Sequence, residues 1–264
     1  MEIWQGIVLG AIQGFSEFLP ISSSGHLILF QRWFGLPEVP NTFDILLHVA
    51  TLIPIFIVLF KEIIAIFKKP LNKFWYLVIA TIPAAILGVF LDDPIESVFK
   101  SGDLLSAILL SVTFLITATE LFVAERVQKK TETALPLSYK SSAIMGAAQA
   151  FALLPGLSRS GTVICAGTFA KVDRNENANF AFIMSIPVIL GALAFKVLKL
   201  ALGKETLVAV PAWPLILGML TATIIGYISI KFMLSLIKKV NYKWFSLYLV
   251  LISIACIVTK LCGI

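Results

Sequence analysis

The 264-residue chain is poor in charge and in cysteine. Only 14% of its residues are charged and 59% are hydrophobic, with a mean hydropathy of +0.96. A soluble domain carries about 25% charged residues. The three cysteines, Cys165, Cys256 and Cys262, are too few and too scattered for a disulfide framework or a zinc site. The composition therefore excludes an ordinary soluble domain and predicts an integral membrane protein.

Signals of several other protein classes are also absent from the sequence. It has no Walker loop, dinucleotide fingerprint or paired-histidine metal motif. The N-terminus has neither the basic region nor the small-residue cleavage site of a signal peptide, so we expect no processing. The net charge of +6 comes from short basic clusters between apolar runs, so we expect no nucleic-acid partner.

Apolar runs and charged loops predict a topology. Six runs approach the length of about 20 residues that crosses a bilayer, which predicts an all-α, multi-pass membrane protein. They are residues 43–60, 75–91, 104–124, 178–195, 209–230 and 244–262. Lysine-rich or arginine-rich loops are expected inside and the acidic loop 92–103 outside. Residues 141–170 then begin and end inside, whereas residues 1–42 begin and end outside, so both segments are predicted to be re-entrant.

The two re-entrant segments resemble each other. Residues 7–26, IVLGAIQGFSEFLPISSSGH, align without a gap on residues 143–162, AIMGAAQAFALLPGLSRSGT, and seven of the 20 positions are identical. The same offset carries the first three spans close to the last three, and an odd number of spans per half forces opposite orientations. The sequence thus predicts an inverted-topology repeat within one membrane domain, residues 1–264. The repeats are residues 1–130 and 137–264, each a re-entrant broken-helix hairpin plus three transmembrane helices.

The first hairpin carries polar groups where a membrane helix normally has apolar ones. Glu17 follows Gln13 by four positions, so both face the same way on a helix. An ionisable residue within a membrane segment, such as Glu17, indicates a functional site. Pro20 ends the helix, and the next helix would direct its N–H groups at an anion. The hydroxyl and glycine positions after Pro20 are Ser22, Ser23, Ser24 and Gly25.

Two histidines are present in the chain. His26 lies beside the serines and the carboxylate, and we interpret it as functional. His48 follows Asp44 by four positions at the outward end of a span, and we interpret this pair as structural.

The second hairpin contributes an arginine. The guanidinium of Arg159 matches phosphate oxygens and stays charged. A purely structural ion pair between Glu17 and Arg159 is the alternative. Glu120 is interpreted as an interfacial charge. The hydroxyls and glycines of the predicted oxyanion cradle are Gly156, Ser158, Ser160, Gly161 and Thr162. An arginine, anion-directed donors, a carboxylate and a candidate nucleophile together indicate phosphoryl transfer on a lipid phosphate or diphosphate.

Two motifs resemble those of a known family. QGFSEFLPISSSGH, from Gln13 to His26, and PGLSRSG, from Pro155 to Gly161, are similar to the signatures of undecaprenyl-diphosphatase of the bacitracin-resistance type. The family often has glutamate at the position of Gln13, and it usually has threonine where this chain has Val163. The resemblance implies a bacterial cell-membrane enzyme that dephosphorylates undecaprenyl diphosphate and so recycles the lipid carrier of cell-wall synthesis. It also implies bacitracin resistance, a divalent cation (Mg²⁺ or Ca²⁺) and a site open to the outer face.

The chemistry of the residues and the resemblance to the family together predict the role of each residue. The predicted catalytic residues are Glu17, Ser23, His26 and Arg159, and Glu17 is the candidate cation ligand. The predicted substrate-binding residues are Gln13, Ser22, Ser24, Gly25, Gly156, Ser158, Ser160, Gly161 and Thr162. Ser23 with His26 as its base is the first choice of nucleophile; His26 itself and water stay open. Membrane lipids surround the protein, a homodimer is left open, and the alternative function is a polyprenyl-phosphate flippase.

Overall fold

The computed structural model describes residues 1–36, 39–130, 134–204, 210–237 and 242–263. Helices make up almost all of the regular structure, and within these ranges the only β-type pairing is an isolated bridge between Leu135 and Val172. The helices are α1 (Ile3–Phe18), α2 (Ser23–Trp33), α3 (Asn41–Ala50), α4 (Leu52–Val58), α5 (Phe60–Ile66), α6 (Asn72–Lys100), α7 (Leu104–Lys130), α8 (Tyr139–Phe151), α9 (Arg159–Phe169), α10 (Arg174–Ala201), α11 (Ala212–Ile237) and α12 (Lys243–Leu261).

Six stretches of helix in the described ranges are long and apolar enough to cross a membrane, which confirms the predicted number. They are Asn41–Val58, Asn72–Lys100, Leu104–Gln128, Arg174–Ala201, Ala212–Ile237 and Lys243–Leu261. Residues 238–241 of the basic loop 231–243 lie outside the described residues.

The predicted acidic loop 92–103 is mostly helical. Helix α6 continues to Lys100, and α7 begins at Leu104. The 29 residues of α6 extend over about 44 Å, more than the hydrocarbon thickness of about 30 Å. Its last turns therefore extend beyond the apolar layer. Charged side chains are hydrated there, so they do not end the helix.

Glycine allows the helices to approach each other closely. A Cβ atom on Gly10 of α1 would lie 2.1 Å from the carbonyl oxygen of Gly218 on α11. On α8, a Cβ atom on Gly146 would lie 2.6 Å from Cα of Ala80 on α6. Small residues at such crossings are typical of membrane helices, which associate by close packing rather than by hydrophobic burial.

The crossing of α7 and α12 contains two matching hydrogen bonds. Ser111 Oγ on α7 donates to the carbonyl oxygen of Ser253 on α12 at 2.9 Å. Ser246 Oγ on α12 donates to the carbonyl oxygen of Ala118 on α7 at 2.7 Å. Each serine thus satisfies its hydroxyl within the apolar bundle, where an unpaired polar group is costly.

Two helix pairs, α1–α2 and α8–α9, are each interrupted by a short non-helical break. At the first break Ser22 has φ +70° and accepts the N–H of Gly25 as the N-cap of α2. At the second break Gly156 has φ +90°, and Ser158 caps α9 by accepting the N–H of Gly161. The two breaks are in direct contact, because Gly156 N–H also donates to Ser22 Oγ at 3.1 Å.

The contacts between helix ends fall into two groups. At the end of the bundle where α6 finishes, Asn41 binds Glu96 and Lys100 binds Asp44. Lys199, at the end of α10, binds Asp93 in the same region. At the opposite end, the Tyr242 N–H donates to Glu125 and Lys73 lies 3.9 Å from Glu176. We call these the α6 C-terminal end and the α6 N-terminal end.

Candidate active site

Glu17 and Arg159 form an ion pair between the two helix breaks. Glu17 lies in the last turn of α1, and Arg159 is the first residue of α9. The side chain of Glu17 is 3% exposed and that of Arg159 is 18% exposed. Gln13 Nε2 donates to Glu17 Oε2 at 3.0 Å, so the two side chains share a face of α1 as predicted. A buried charge pair of this kind requires additional hydrogen bonds to be stable, and Gln13 provides one.

Ser23 is the hydroxyl that the structure brings to this pair. As the first residue of α2, it donates from Oγ to Glu17 Oε2 at 2.7 Å. Ser23 and its neighbour Ser24 both line a cavity next to the ion pair. The guanidinium from α9 and the hydroxyl from α2 therefore each contact the carboxylate from α1.

His48 lies beside these groups, and it contacts Asp44 through the backbone rather than through the carboxylate. Its Nδ1 contacts the backbone carbonyl oxygen of Asp44 at 2.8 Å, whereas the Asp44 carboxylate binds Lys100 and Gln31. His48 Nε2 lies 3.4 Å from Ser23 Oγ and 3.4 Å from Glu17 Oε2. The spacing of four residues placed both side chains on one helix face but did not reveal that α3 turns His48 toward the break after α1.

His26 points away from the Ser23 hydroxyl. Its Nδ1 contacts the carbonyl oxygen of Ser22 at 2.8 Å, and its Nε2 lies 2.8 Å from the hydroxyl of Tyr248 on α12. The two rings are stacked with centroids 5.6 Å apart. The structure thus does not bring His26 and Ser23 together as base and nucleophile, and the catalytic role of His26 stays a prediction.

Most of the other predicted cradle residues are engaged within the protein. Ser22 and Ser158 are N-caps, and Ser160 Oγ donates to the carbonyl oxygen of Leu19 at 3.3 Å. A Cβ atom on Gly25 would lie 2.8 Å from Cα of Gly156, so this glycine has a packing role between the breaks. Gly161 is in close contact with Pro20. These residues shape the site, and their substrate contacts stay predictions.

Thr162 donates to Glu120 rather than to the groups around Arg159. The distance from Thr162 Oγ1 to Glu120 Oε2 is 2.7 Å, and Glu120 is half-buried on α7. Glu120, interpreted as an interfacial charge, thus has a buried hydroxyl partner on α9.

A cavity of about 240 Å³ leads from the ion pair to the α6 C-terminal end. Ser23, His48 and Arg159 line its inner part. Its polar outer lining consists of Asn41, Asp44, Asp92, Glu96 and Lys100, and apolar residues of α2, α3 and α10, among them Ile28, Ile45 and Ile189, line its walls. The cavity thus combines a charged mouth with an apolar wall, which suits an amphiphile with a polar head.

Two buried polar atoms at the cavity have no hydrogen-bond partner in the described part of the chain. One is Arg159 Nη1, a donor, and the other is Gln149 Oε1, an acceptor on a side chain that is 1% exposed. Sequence reasoning missed Gln149 as a site residue, although its alignment with Gln13 was a signal that could have identified it. Buried groups of this kind are uncommon in proteins, and at the cavity they are candidate contacts for a substrate, a water or an ion.

The arrangement is suited to transferring a phosphoryl group. Arg159 can neutralise an anionic phosphate, and the Ser23 hydroxyl is placed to attack it. Glu17 holds both side chains in position. The transition state of phosphoryl transfer needs mainly such positioning and charge neutralisation.

The sequence is similar to known proteins along almost its full length. Residues 6–255 match the family described as Bacitracin resistance protein BacA. A protein of Carboxydothermus hydrogenoformans named undecaprenyl-diphosphatase is 37% identical over all of this chain and 99% of its own length. Proteins with the same name from Moorella thermoacetica and Methanosphaera stadtmanae are each 36% identical and cover at least 96% of both chains. The chain belongs to the bacitracin resistance protein BacA family.

Proposed function

We propose that the chain is an undecaprenyl-diphosphatase. It hydrolyses undecaprenyl diphosphate to undecaprenyl phosphate and inorganic phosphate, as the names of its full-length relatives indicate. The observation that carries this function is the meeting of Glu17, Ser23 and Arg159 at the inner part of a cavity with a charged mouth. The products return a lipid carrier to cell-wall synthesis, which is how a bacitracin-resistance family contributes to resistance.

Each side chain has a distinct role in this reaction. Arg159 binds the terminal phosphate and stabilises the charge on its oxygens as the bond to the leaving phosphate breaks. Ser23 is the nucleophile that the geometry favours, since its hydroxyl contacts Glu17 and faces the cavity. Glu17 holds the Ser23 hydroxyl and the guanidinium at one place, and Gln13 fixes the carboxylate.

The inverted-topology repeat is part of the proposal. The two serine bonds between α7 and α12 support it, because at the repeat offset of 136 positions each bond lies within one residue of the equivalent of the other. The glycine crossings support it as well, since α1 packs on α11 as α8 packs on α6. Residues 1–130 and 137–264 are then the two repeats of one domain.

Re-entrance of the two broken helix pairs is supported by the contacts of their ends. Before α1, Glu2 lies with Pro211 and Pro214 of the α11 start, and after α2, Arg32 binds the carbonyl oxygen of Phe99 at the α6 C-terminal end. Around α8 and α9, the Leu137 N–H donates to Glu176, which lies near Lys73 at the α6 N-terminal end. Each pair thus begins and ends at one end of the bundle, and the two pairs use opposite ends.

The orientation follows from charge. The α6 N-terminal end carries Lys61, Lys68, Lys69 and Lys73, which favour the cytoplasmic side. The cavity then opens to the outer face of the bacterial cell membrane, where Asp92, Glu96 and Lys100 line its mouth. The apolar wall is where the lipid tail of the substrate would lie.

A divalent cation, Mg²⁺ or Ca²⁺, would supply positive charge to the substrate phosphates when bound. In the described part of the chain, no three His, Cys, Asp or Glu side chains come close enough to hold a metal ion. Mg²⁺ is commonly held by one or two carboxylates together with substrate phosphates, and Glu17 is the carboxylate in contact with Ser23 and Arg159, which line the cavity. The residues therefore fit a cation that binds with the substrate and do not fit an all-protein cage.

Phosphate release tests the function. Purified protein in detergent should release inorganic phosphate from a polyprenyl diphosphate in the presence of Mg²⁺ or Ca²⁺, and Ser23→Ala and Glu17→Gln should not while remaining folded. Absence of release by the wild-type chain would favour the flippase alternative, which lipid transfer across a vesicle membrane measures. The molecular mass of the purified protein in detergent tests whether it forms a homodimer.

A further inference from the structure

The neutral form of His48 has a lone pair directed at the reacting groups. The Asp44 carbonyl oxygen that contacts Nδ1 can only accept a hydrogen bond, so Nδ1 carries the hydrogen. In a neutral imidazole the other nitrogen, Nε2, is then an acceptor. That atom lies 3.4 Å from Ser23 Oγ, a distance that is common before substrate binds and shortens in the reacting complex.

His26 has the same tautomer, but its acceptor nitrogen is occupied. Its Nδ1 contacts the Ser22 carbonyl oxygen, and the Tyr248 hydroxyl is placed to donate to Nε2. His26 is also 3% exposed and is packed edge-on against Phe114. Of the two imidazoles, only that of His48 lines the cavity.

Glu17 is a poor candidate for taking the Ser23 proton, although it is close. Its carboxylate already accepts hydrogen bonds from Gln13 and Ser23 and pairs with Arg159. Both of its oxygens are thus already engaged by neighbouring side chains. The remaining charged groups of the cavity, Asp44, Asp92, Glu96 and Lys100, lie toward the mouth, and none of these described side chains is hydrogen-bonded to Ser23.

We infer that His48 is the general base of the reaction: its Nε2 takes the proton of Ser23 Oγ as that oxygen attacks the terminal phosphorus. This inference rests on the proposed function. A bond forms from Ser23 Oγ to phosphorus, the bond from phosphorus to the bridging oxygen breaks, and undecaprenyl phosphate leaves with the bonding electrons. In the second step a water oxygen joins phosphorus, and the bond to Ser23 Oγ breaks. His48 returns its proton to that oxygen, and both water hydrogens leave on dihydrogen phosphate.

Two substitutions separate proton transfer from positioning. His48→Gln keeps a side chain that can hydrogen-bond to Ser23 but cannot act as a base at neutral pH. We expect kcat to fall by about 10²–10⁴-fold, the usual contribution of a general base, with KM within about threefold of wild type. His48→Ala should show the same loss, and added imidazole should restore part of its activity by entering the vacated space. Ser23→Ala is the matched control that imidazole should not restore, because its nucleophile is missing.

The outcomes distinguish this inference from the proposed function. Retention of kcat within about threefold of wild type by folded His48→Gln would show that His48 only positions Ser23, and the inference would be wrong. Failure of imidazole to restore any activity to folded His48→Ala would contradict it as well. A wild-type chain that releases no phosphate would instead refute the diphosphatase function, and this inference with it. Unfolding temperatures in detergent verify that each variant is folded.

Discussion

Glu17 and Arg159, 142 positions apart in the chain, pair where α1 ends and α9 begins. Neither charge is compensated within its own helix pair, so the pairing joins the two broken helix pairs at the reacting end of the cavity. Removing one member of such a pair leaves the other charge buried and unpaired, which is far more costly than removing both.

Arg159→Gln should therefore lower both activity and stability. We expect loss of phosphate release and a decrease of about 3–5 kcal/mol in unfolding free energy. The double variant Glu17→Gln/Arg159→Gln should regain a large part of that stability while staying inactive. Thermal or denaturant unfolding in detergent measures this, and equal stability of the single and double variants would show that the pair does not couple the two helices.

Gly10 should tolerate no side chain at the α1–α11 crossing. The Cβ atom of Gly10→Ala would lie 2.1 Å from the Gly218 carbonyl oxygen, so the helices must separate. We expect a lower unfolding temperature and a loss of at least about 1–3 kcal/mol, as for overpacked cores. Gly88→Ala on α6 is the matched control, since nothing lies within 4 Å of its added Cβ; it should be neutral or slightly stabilising. Equal effects of both variants would contradict the close crossing.

Gln149→Leu should separate stability from activity. The substitution removes a buried acceptor that has no partner, so the unfolding temperature should stay the same or rise. If the unpartnered oxygen binds substrate-associated water or cation, kcat/KM should fall by about tenfold or more, the worth of one hydrogen bond to a charged or tightly held partner. Unchanged kcat/KM would show that Gln149 acts only through the long hydrogen bond, 3.5 Å, that its Nε2 donates to the Ala80 carbonyl oxygen.

Removal of divalent cations should abolish activity without affecting the fold. Because no protein cage holds a metal among the described residues, chelation with EDTA should leave the unfolding temperature unchanged while phosphate release stops. Adding Mg²⁺ or Ca²⁺ in excess should restore release. A large decrease in unfolding temperature on chelation would indicate a structural metal and would contradict a cation that binds only together with the substrate.

Labelling tests the orientation. Cysteine at position 93 should react with an impermeant thiol reagent from outside, and cysteine at position 69 from inside. Cys262 is exposed and should first be replaced by serine, whereas Cys165 and Cys256 are buried. Labelling of both positions from the same side would contradict the topology.

The sequence predicted those parts of the molecule that depend on local spacing. Four-residue spacing gave the contact of Gln13 with Glu17, and hydropathy gave the six candidate spans. The sequence also predicted that the two breaks meet, and the ion pair of Arg159 with Glu17 lies between them.

Local spacing could not predict which neighbouring helix or cavity each side chain faces in the folded protein. A serine next to a helix break either caps the helix or faces a ligand, and spacing does not distinguish Ser22, which caps, from Ser23, which faces the cavity. His48 and Gln149 reach the cavity from α3 and α8, which only the packing of those helices determines. Thr162, in turn, faces α7 because α9 packs on that helix.

The hydroxyl oxygen of Ser22 accepts one N–H from its own helix pair and one from the other. A transporter that alternates between two open sides moves one repeat against the other around a central site. Here such a motion would have to break the Ser22–Gly156 hydrogen bond and separate Gly25 from Gly156, which pack too closely for an added Cβ atom. These contacts hold the two helix pairs together at their centre, as expected for an enzyme whose substrate enters and leaves by one opening.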